Sequence, residues 1–362
     1  KPIISPLENK LMWMLFAIPF AIYFEFSDQH GYAFIASILS IMPLAWLMGK
    51  GTEEIAVRTS ESLGGLLNAT FGNAVEAIIA SLALYAAFSN PELTENMITV
   101  VQASLIGSIL GNLLLVLGLA FLWGGLKHKK QQFNSQVSQT NGSLLLLALI
   151  GLVIPAAFAA ANKGVSNDSI VSLSRWTALV LLGIYCLNMV FQLKTHATLY
   201  ATDGHHDEEA ELSQKQAITL LLIATLFVAW MAHILVASIE HAAEQFNLPY
   251  LFIGVILLPF FGNAAEHMTA VSVARKDKMD MSISIAVGSS IQIALLVAPF
   301  MVLFGWVLGG GMSLQFGLFE TITCLVAVLM INFIIQDGES NWFEGVMLIA
   351  TYLIIAMAFL YM

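Results

Sequence analysis

The sequence predicts an all-α membrane protein with eleven transmembrane helices. Three observations predict this class: the composition, the length of the apolar runs and the continuity of those runs. Of the 362 residues, 58% are hydrophobic and only 10% are charged, whereas a soluble domain carries about 25% charged residues. The apolar runs are continuous rather than alternating, which disfavours a β-barrel. Because about 20 apolar residues cross a bilayer as a helix, we interpret each run as one span.

Short polar links separate the apolar runs, so we expect one integrated membrane domain. The eleven predicted spans cover roughly residues 11–26, 33–48, 64–89, 97–125, 143–162, 176–193, 216–238, 249–274, 281–308, 313–335 and 342–362. The first run has no A-x-A-like cleavage site, which favours a span over a signal peptide.

The positions of Lys and Arg predict the orientation of these spans. With eleven spans, twelve basic residues lie on the side of the N-terminus: Lys1, Lys10, Lys50, Arg58, Lys127, Lys129, Lys130, Lys194, Lys215, Arg275, Lys276 and Lys278. The other side has two, Lys163 and Arg175. Because cytoplasmic links carry the excess of positive charge, we expect the N-terminus in the cytoplasm and the C-terminus outside.

The chain divides into two halves that contain the same motif. Residues 1–32 hold a leading span, 33–193 hold five spans, 194–215 form an acidic cytoplasmic linker, and 216–362 hold five more spans. The second span of each half contains a GNAxE sequence, at 72–76 and at 262–266. Because five is odd, the second half enters the membrane from the opposite side. This predicts an inverted-topology repeat, the architecture of many secondary transporters.

Each motif places a carboxylate within an apolar helix, where ionisable residues are costly and usually functional. Interpreted as helices, both motifs place small and polar residues on one face. These residues are Gly72, Asn73, Glu76, Gly262, Asn263 and Glu266. Pro259 and Gly262 predict a break or kink in the second copy, which would free backbone carbonyl groups as ligands.

The next span of each half adds side-chain oxygens at a spacing of about four residues. The predicted metal-site residues are Glu76, Glu266, Asn73, Asn263, Ser104, Ser108, Asn112, Ser289 and Gln292. Four glycines, Gly72, Gly262, Gly107 and Gly288, are expected at helix breaks or close helix contacts. Helix packing is the alternative role of the hydroxyl and amide side chains.

The candidate ligands are all oxygens, which suits a hard cation such as Ca²⁺ with its six to eight oxygen ligands. Zn²⁺ and Cu favour His or Cys. Two ionised carboxylates neutralise one divalent ion, and without the ion they repel each other in a low dielectric. We therefore expect Glu76 and Glu266 to take up protons when the site is empty. The hypothesis is exchange of Ca²⁺, as transported substrate rather than cofactor, against H⁺.

The segments "GNAVEAIIA", "QASLIGSILGN", "PFFGNAAEH" and "AVGSSIQIALLVAPF" resemble the repeat motifs of the calcium/proton exchanger family, CAX, within the cation/Ca²⁺ exchanger superfamily. The resemblance covers essentially the whole chain. It implies that Glu76 and Glu266 bind and exchange Ca²⁺ and H⁺, helped by Asn73, Asn263 and the paired polar spans. The sequence does not show the long N-terminal extension of plant vacuolar members, which favours a prokaryotic protein in the plasma membrane. A vacuolar membrane is the alternative.

The acidic linker has two interpretations, a solvated connector or a regulatory segment that attracts cations. Its acidic residues are Asp203, Asp207, Glu208, Glu209 and Glu211. His267 follows Glu266 but points about 100° away along a helix, which favours packing over proton relay.

Other function classes have weaker support. A Na⁺/Ca²⁺ exchanger is the alternative within the same class, and a passive channel would not need an inverted repeat. An intramembrane metalloenzyme would need further His ligands, and no H-E-x-x-H sequence occurs. Fourteen Lys and Arg without a basic stripe argue against nucleic-acid binding. The partners are therefore Ca²⁺, H⁺ and the lipid bilayer, and a homo-oligomer is compatible with the sequence.

Overall fold

The chain folds into long helices joined by short links. This is seen in a computed structural model, which describes residues 9–59, 64, 66, 67, 70–162, 164–200 and 211–362. The helices are α1 (Ala17–Phe26, preceded by a 3-10 helix at Lys10–Phe16), α2 (His30–Ala56), α3 (Ala74–Ser89), α4 (Thr94–Lys127), α5 (Ser135–Ala161), α6 (Asn167–Thr195), α7 (Gln214–Phe246), α8 (Tyr250–Gly262), α9 (Ala264–Arg275), α10 (Met279–Val307), α11 (Leu318–Ile334) and α12 (Trp342–Leu360). Two short strands, β1 (Gln131–Gln132) and β2 (Glu339–Ser340), pair antiparallel.

Several helices are long and apolar enough to cross a bilayer. By length and composition there are seven within the described residues, α2, α4, α5, α6, α7, α10 and α12. The bent pair α8 and α9 becomes an eighth if it counts as one span, and α3 and α11 are shorter apolar helices. The chain is thus a helical membrane protein with several spans, and the number eleven stays a prediction.

Helix starts follow local capping chemistry. The Asn134 side chain accepts hydrogen bonds from the backbone of Gln136 and Val137 at the start of α5. Capping boxes begin α7 at Ser213 and α12 at Asn341. Because the first backbone N–H groups of a helix have no partner within it, these polar side chains fix where each helix begins.

Three helices change to π winding at mid-length. The π segments are Gly111–Val116 in α4, Ile253–Leu257 in α8 and Ile293–Val297 in α10. In α8 and α10 a proline lies two residues after the π segment: Pro259 in α8 and Pro299 in α10. A proline ring clashes with the carbonyl four residues earlier in an α-helix, and a wider turn there relieves the clash.

Helix α4 lies at the centre of the bundle, with 89% of its most apolar stretch buried, against 33% in α5 and α6. One of its close backbone contacts is with the π segment of α8. A Cβ added at Gly107 would overlap the Val255 carbonyl group, and one added at Gly254 would overlap Ala103. The two backbones therefore touch, and this contact fixes the height of α8 beside α4.

The links after α4, α9 and α11 meet at one end of the bundle. The strand register pairs Gln131 with Ser340, and the Gln131 side chain donates to the Ala274 carbonyl and to Asp277, each at 2.8 Å. The hydrogen bond from Lys130 lowers the pKa of the Glu339 carboxyl group. These contacts hold three links together on one face of the protein.

Candidate functional site

The first motif lies at a helix start rather than inside a helix. Gly72 and Asn73 form a turn, and α3 begins at Ala74. The interpretation of 72–76 as one continuous helical face is therefore wrong at its first two positions. Glycine and asparagine are weak helix formers, and the Asn73 side chain contacts α10 instead of capping α3. Glu76 occupies the first turn of α3, where the helix dipole favours negative charge.

The second motif has the same local geometry. Helix α8 ends at Gly262, Asn263 separates the two pieces, and α9 begins at Ala264 with a bend of 58°. A break occurs in this copy, as expected, although Pro259 itself lies inside α8. Glu266 is the third residue of α9, as Glu76 is of α3. Both carboxylates thus lie at the positive end of a helix dipole.

The Asn73 amide is held from both sides by α10. Its Nδ2 atom donates to Gln292 Oε1 at 2.6 Å, and its Oδ1 atom accepts from Ser289 Oγ at 2.7 Å. The Asn112 amide of α4 also donates to Ser289 Oγ, at 2.9 Å. Asn73, Asn112 and Ser289 are all 5% exposed or less. Side chains from α4, α10 and the first motif therefore form one buried network.

The Asn263 amide makes a single, longer contact. Its Nδ2 atom donates to Ser108 Oγ of α4 at 3.3 Å, and both residues are buried. The amide of each motif thus bonds to the polar helix of the other half of the sequence: Asn73 to α10, Asn263 to α4.

Five buried oxygen atoms beside this network have no hydrogen-bond donor among the described residues. They are Glu76 Oε1, Glu76 Oε2, Glu266 Oε2, Asn112 Oδ1 and Asn263 Oδ1. The charges of the two carboxyl groups are close enough to interact, and Ser289 lies against the Glu266 carboxyl group. A Cβ added at Gly262 would lie 3.7 Å from Glu76 Oε1, so the Glu76 carboxylate reaches the break of the second motif.

Buried acceptors without donors are costly, unless a proton or a cation lies among them. The five oxygens come from both motifs and from α4. Within the described part of the chain, no three His, Cys, Asp or Glu side chains converge on one point in a way that could hold a metal ion. The carboxylates at this cluster are therefore the two motif glutamates, and the other oxygens are neutral amides.

Two predicted site residues lie differently from expectation. The Ser104 hydroxyl donates to the Val101 carbonyl of its own helix at 2.9 Å, and no hydrogen bond joins it to the network. A Cβ added at Gly288 would meet no atom within 4 Å. The expectation of close packing at Gly288 is therefore wrong, because α10 has no backbone neighbour at that position, whereas Gly107 packs directly on Val255.

The acidic linker is described at its two ends, 194–200 and 211–215. Asp203, Asp207, Glu208 and Glu209 lie outside the described residues. The backbone N–H groups of Glu211 and Leu212 donate to the Glu54 carboxylate, at 3.2 and 3.0 Å. Any regulatory role of this segment stays a prediction.

Sequence reasoning missed Glu54, although a signal for it exists. Glu54 is only 3% exposed and lies within 3.5 Å of both Lys50 and Arg58, one helical turn away on either side. Oppositely charged residues at i−4 and i+4 predict ion pairs on one helix face. This spacing did not indicate that the Glu54 carboxylate also accepts hydrogen bonds from backbone N–H groups just before α7.

The fold and the site define an integral membrane protein with a buried oxygen cluster built by two matching motifs. A protein-family model described as sodium/calcium exchanger protein matches residues 30–194 and 216–361. The chain belongs to this family.

Characterised relatives and a solved structure agree with this assignment. A Ca²⁺/H⁺ antiporter of Synechocystis sp. is 46% identical and covers 91% of this chain and 90% of its own length. Vacuolar cation/proton exchanger 2 of Oryza sativa subsp. japonica is 43% identical, over 98% of this chain and 82% of the relative. The crystal structure of the Ca²⁺/H⁺ antiporter protein YfkE superposes with a TM-score of 0.83 at 38% identity, covering 99% of this chain and all of YfkE.

Proposed function

We propose that this protein is a secondary active antiporter that exports Ca²⁺ from the cytosol in exchange for H⁺ by alternating access. The observation that carries the proposal is the set of five buried oxygens without donors, on Glu76, Glu266, Asn112 and Asn263. Such a cluster is stabilised when it holds either protons or a cation, and the two occupants exclude each other. That exclusion is the elementary step of antiport.

The ligand set favours Ca²⁺ as the cation. Two carboxylates balance its charge, and amide oxygens complete a ligand shell of the hard type that Ca²⁺ prefers. Glu76 and Glu266 are the proposed ion- and proton-binding residues, with Asn263 and Asn112 as neutral ligands. Asn73, Ser108, Ser289 and Gln292 support them through the network. The names of the Synechocystis relative and of YfkE, both Ca²⁺/H⁺ antiporters, support the same exchange.

The proposed topology keeps eleven spans, with 1–32 as the leading segment, 33–193 and 216–362 as inverted repeats, and 194–215 as the linker. Contacts between links support the alternation of sides. Among the described residues, the contacts between links join segments that the eleven-span topology places on one face, as for Gln131 with Asp277 and β1 with β2 at the cytoplasmic face. At the opposite face, Arg175 stacks on Trp306, and His30 lies against His241.

The crossed contacts of the motif amides support the inverted repeat. Asn73 bonds to α10 and Asn263 to α4, as expected when two halves are related by an axis in the membrane plane. We place the N-terminus in the cytoplasm from the Lys and Arg asymmetry. The proposed location is a prokaryotic plasma membrane, and the name of the rice relative favours a vacuolar membrane as the second candidate.

Radiolabelled Ca²⁺ flux into proteoliposomes tests the function, with pH and Na⁺ gradients imposed separately. We expect uptake driven by a pH gradient and no response to a Na⁺ gradient at constant pH. Na⁺/Ca²⁺ exchange is the second candidate because the family model carries that description, and uptake driven only by Na⁺ would establish it. Equal flux without any opposing gradient would identify a channel and overturn the proposal.

A further inference from the structure

A cavity of about 580 Å³ lies between the last third of α4 and helix α9, and its lining includes His267, the residue that follows Glu266. Its walls are largely apolar and include Leu119 and Trp123 of α4 and Met268 and Val271 of α9. Trp123 and Met268 are each 43% exposed. With the bundle in a bilayer, its exposed outer surface faces lipid, and the cavity then opens sideways to the bilayer.

The rim of the cavity is basic. Lys127, Arg275 and Lys276 line it, and Lys127 Nζ donates to the Arg275 carbonyl at 3.0 Å, which joins the ends of α4 and α9. None of these three cations has a carboxylate partner among the residues that the structure describes. Three positive charges are therefore unneutralised at the mouth of one apolar cavity.

Two acidic residues in the chain after α9 contact the β1 link rather than this rim. Asp277 Oδ1 accepts from the Gln131 side chain at 2.8 Å, and Asp280 Oδ1 accepts from the Asn134 backbone at 2.6 Å. Among the described residues, neither carboxylate forms an ion pair with the three cations of the rim.

A rim of this sign disfavours the cavity as an entry path for Ca²⁺, because a cation would be repelled where it enters. The cavity instead suits an anion that carries an apolar chain. A phosphate group fits the cations, and an acyl chain fits the wall formed by Leu119, Trp123 and Val271.

We propose that this cavity binds one anionic phospholipid, with its phosphate at Lys127, Arg275 and Lys276 and an acyl chain along Trp123. Basic pockets between membrane helices at the cytoplasmic side are suited to anionic headgroups, and the proposed topology places all three cations on that side. Free phosphate shares the headgroup chemistry but would leave the apolar wall and the lateral opening unused. The site depends on neither the transported ion nor the exchange reaction.

Quenching of Trp123 fluorescence by brominated lipids tests the proposal. The whole protein is reconstituted in phosphatidylcholine with a small fraction of either dibrominated phosphatidylglycerol or dibrominated phosphatidylcholine. The Trp123 contribution is the difference between the wild type and Trp123→Phe. We expect stronger quenching by brominated phosphatidylglycerol than by brominated phosphatidylcholine. Each single Gln substitution at the three cations should weaken the apparent affinity for phosphatidylglycerol about fivefold.

In the triple variant Lys127→Gln, Arg275→Gln, Lys276→Gln, the two brominated lipids should quench the Trp123 fluorescence equally. The matched control is Lys10→Gln, Lys194→Gln, Lys215→Gln, which removes three exposed charges from the same predicted face and should keep the wild-type preference. Equal quenching by both lipids in the wild type overturns the proposal, and so does a preference that survives the triple variant.

Inorganic phosphate separates the two sources of the anion. Added in excess, it should leave the quenching by brominated phosphatidylglycerol unchanged, because the acyl contact holds the lipid. Displacement by inorganic phosphate would show a phosphate site rather than a lipid site and overturn the proposal. Retained Ca²⁺ flux in the triple variant would show that it is folded.

Discussion

The two motifs share a sequence but are held differently. Asn73 is fixed by two short hydrogen bonds, whereas Asn263 makes one contact of 3.3 Å and keeps a free Oδ1 atom. Glu76 has two oxygens without donors, and Glu266 has one, beside Ser289. We therefore propose different tasks for identical residue types: Asn73 positions its surroundings, and Asn263 is a ligand.

The largest expected effect is on the two carboxylates, Glu76 and Glu266. Glu76→Gln and Glu266→Gln should each lower Ca²⁺ uptake about 100-fold or more, because one carboxylate cannot balance a divalent ion. Loss of a supporting residue outside the ligand shell already costs about 10- to 100-fold. Uptake in proteoliposomes under a pH gradient measures the effect.

Glu92→Gln is the matched control, because Glu92 is exposed in the link before α4 and its substitution should leave uptake unchanged. Wild-type uptake by either of the two motif variants would contradict a site with two carboxylates.

The second prediction separates the two asparagines. Asn73→Ala should destabilise the protein by about 2 to 4 kcal/mol, because it leaves the buried Ser289 hydroxyl and the half-buried Gln292 side chain of α10 without their partner. Asn263→Ala should change stability less but raise the Ca²⁺ concentration for half-maximal transport about tenfold. Thermal unfolding in detergent and Ca²⁺ titrations of transport measure the two effects. If both variants lost stability equally, the distinction between positioning and ligand residues would fail.

The third prediction concerns the paired glycines. Gly107→Ala should cost about 1 to 3 kcal/mol, because its methyl group would meet the Val255 backbone and push α8 from α4. Gly288→Ala serves as the control, since a Cβ there meets no atom within 4 Å. Thermal unfolding of both variants tests the comparison, and an equal loss at the two positions would contradict the packing described here.

The smallest effect is expected at Ser104. Its hydroxyl bonds within its own helix, so Ser104→Ala should change stability by less than about 0.5 kcal/mol and leave the Ca²⁺ dependence of transport unchanged. Ser108→Ala, by contrast, removes the one hydrogen bond that the Asn263 side-chain amide makes among the described residues and should weaken Ca²⁺ affinity a few-fold. If Ser104→Ala weakened the Ca²⁺ affinity more than Ser108→Ala, Ser104 would again be a candidate ligand.

The sequence predicted the helices well where apolar runs define them. The run at 342–362 corresponds to α12 (Trp342–Leu360), whereas α5 begins at Ser135, well before the predicted 143. That early start rests on an Asn134 cap and a polar first turn, which an apolar run does not mark.

Several features of the site were beyond sequence reasoning. Composition and spacing identified Glu76 and Glu266, because carboxylates are rare in apolar runs. The turn at Asn73 and the bond to Gln292 depend on how α3 is placed against α10. The π segments, which change the direction of side chains after Asn112 and Gln292, have no clear mark in the residues. The open space at Gly288 likewise follows from tertiary packing alone.

The π segments also decide where the chain tolerates a change of length. A π turn closes its hydrogen bonds five residues apart, one more than an α turn. Deleting one residue within Gly111–Val116 would convert that stretch of α4 to α winding and leave the flanking turns in register. The same deletion between Ser104 and Ser108 would rotate one side of the helix by about 100° against the other. A single-residue deletion should therefore be accepted between Asn112 and Val116 and rejected between Ser104 and Ser108.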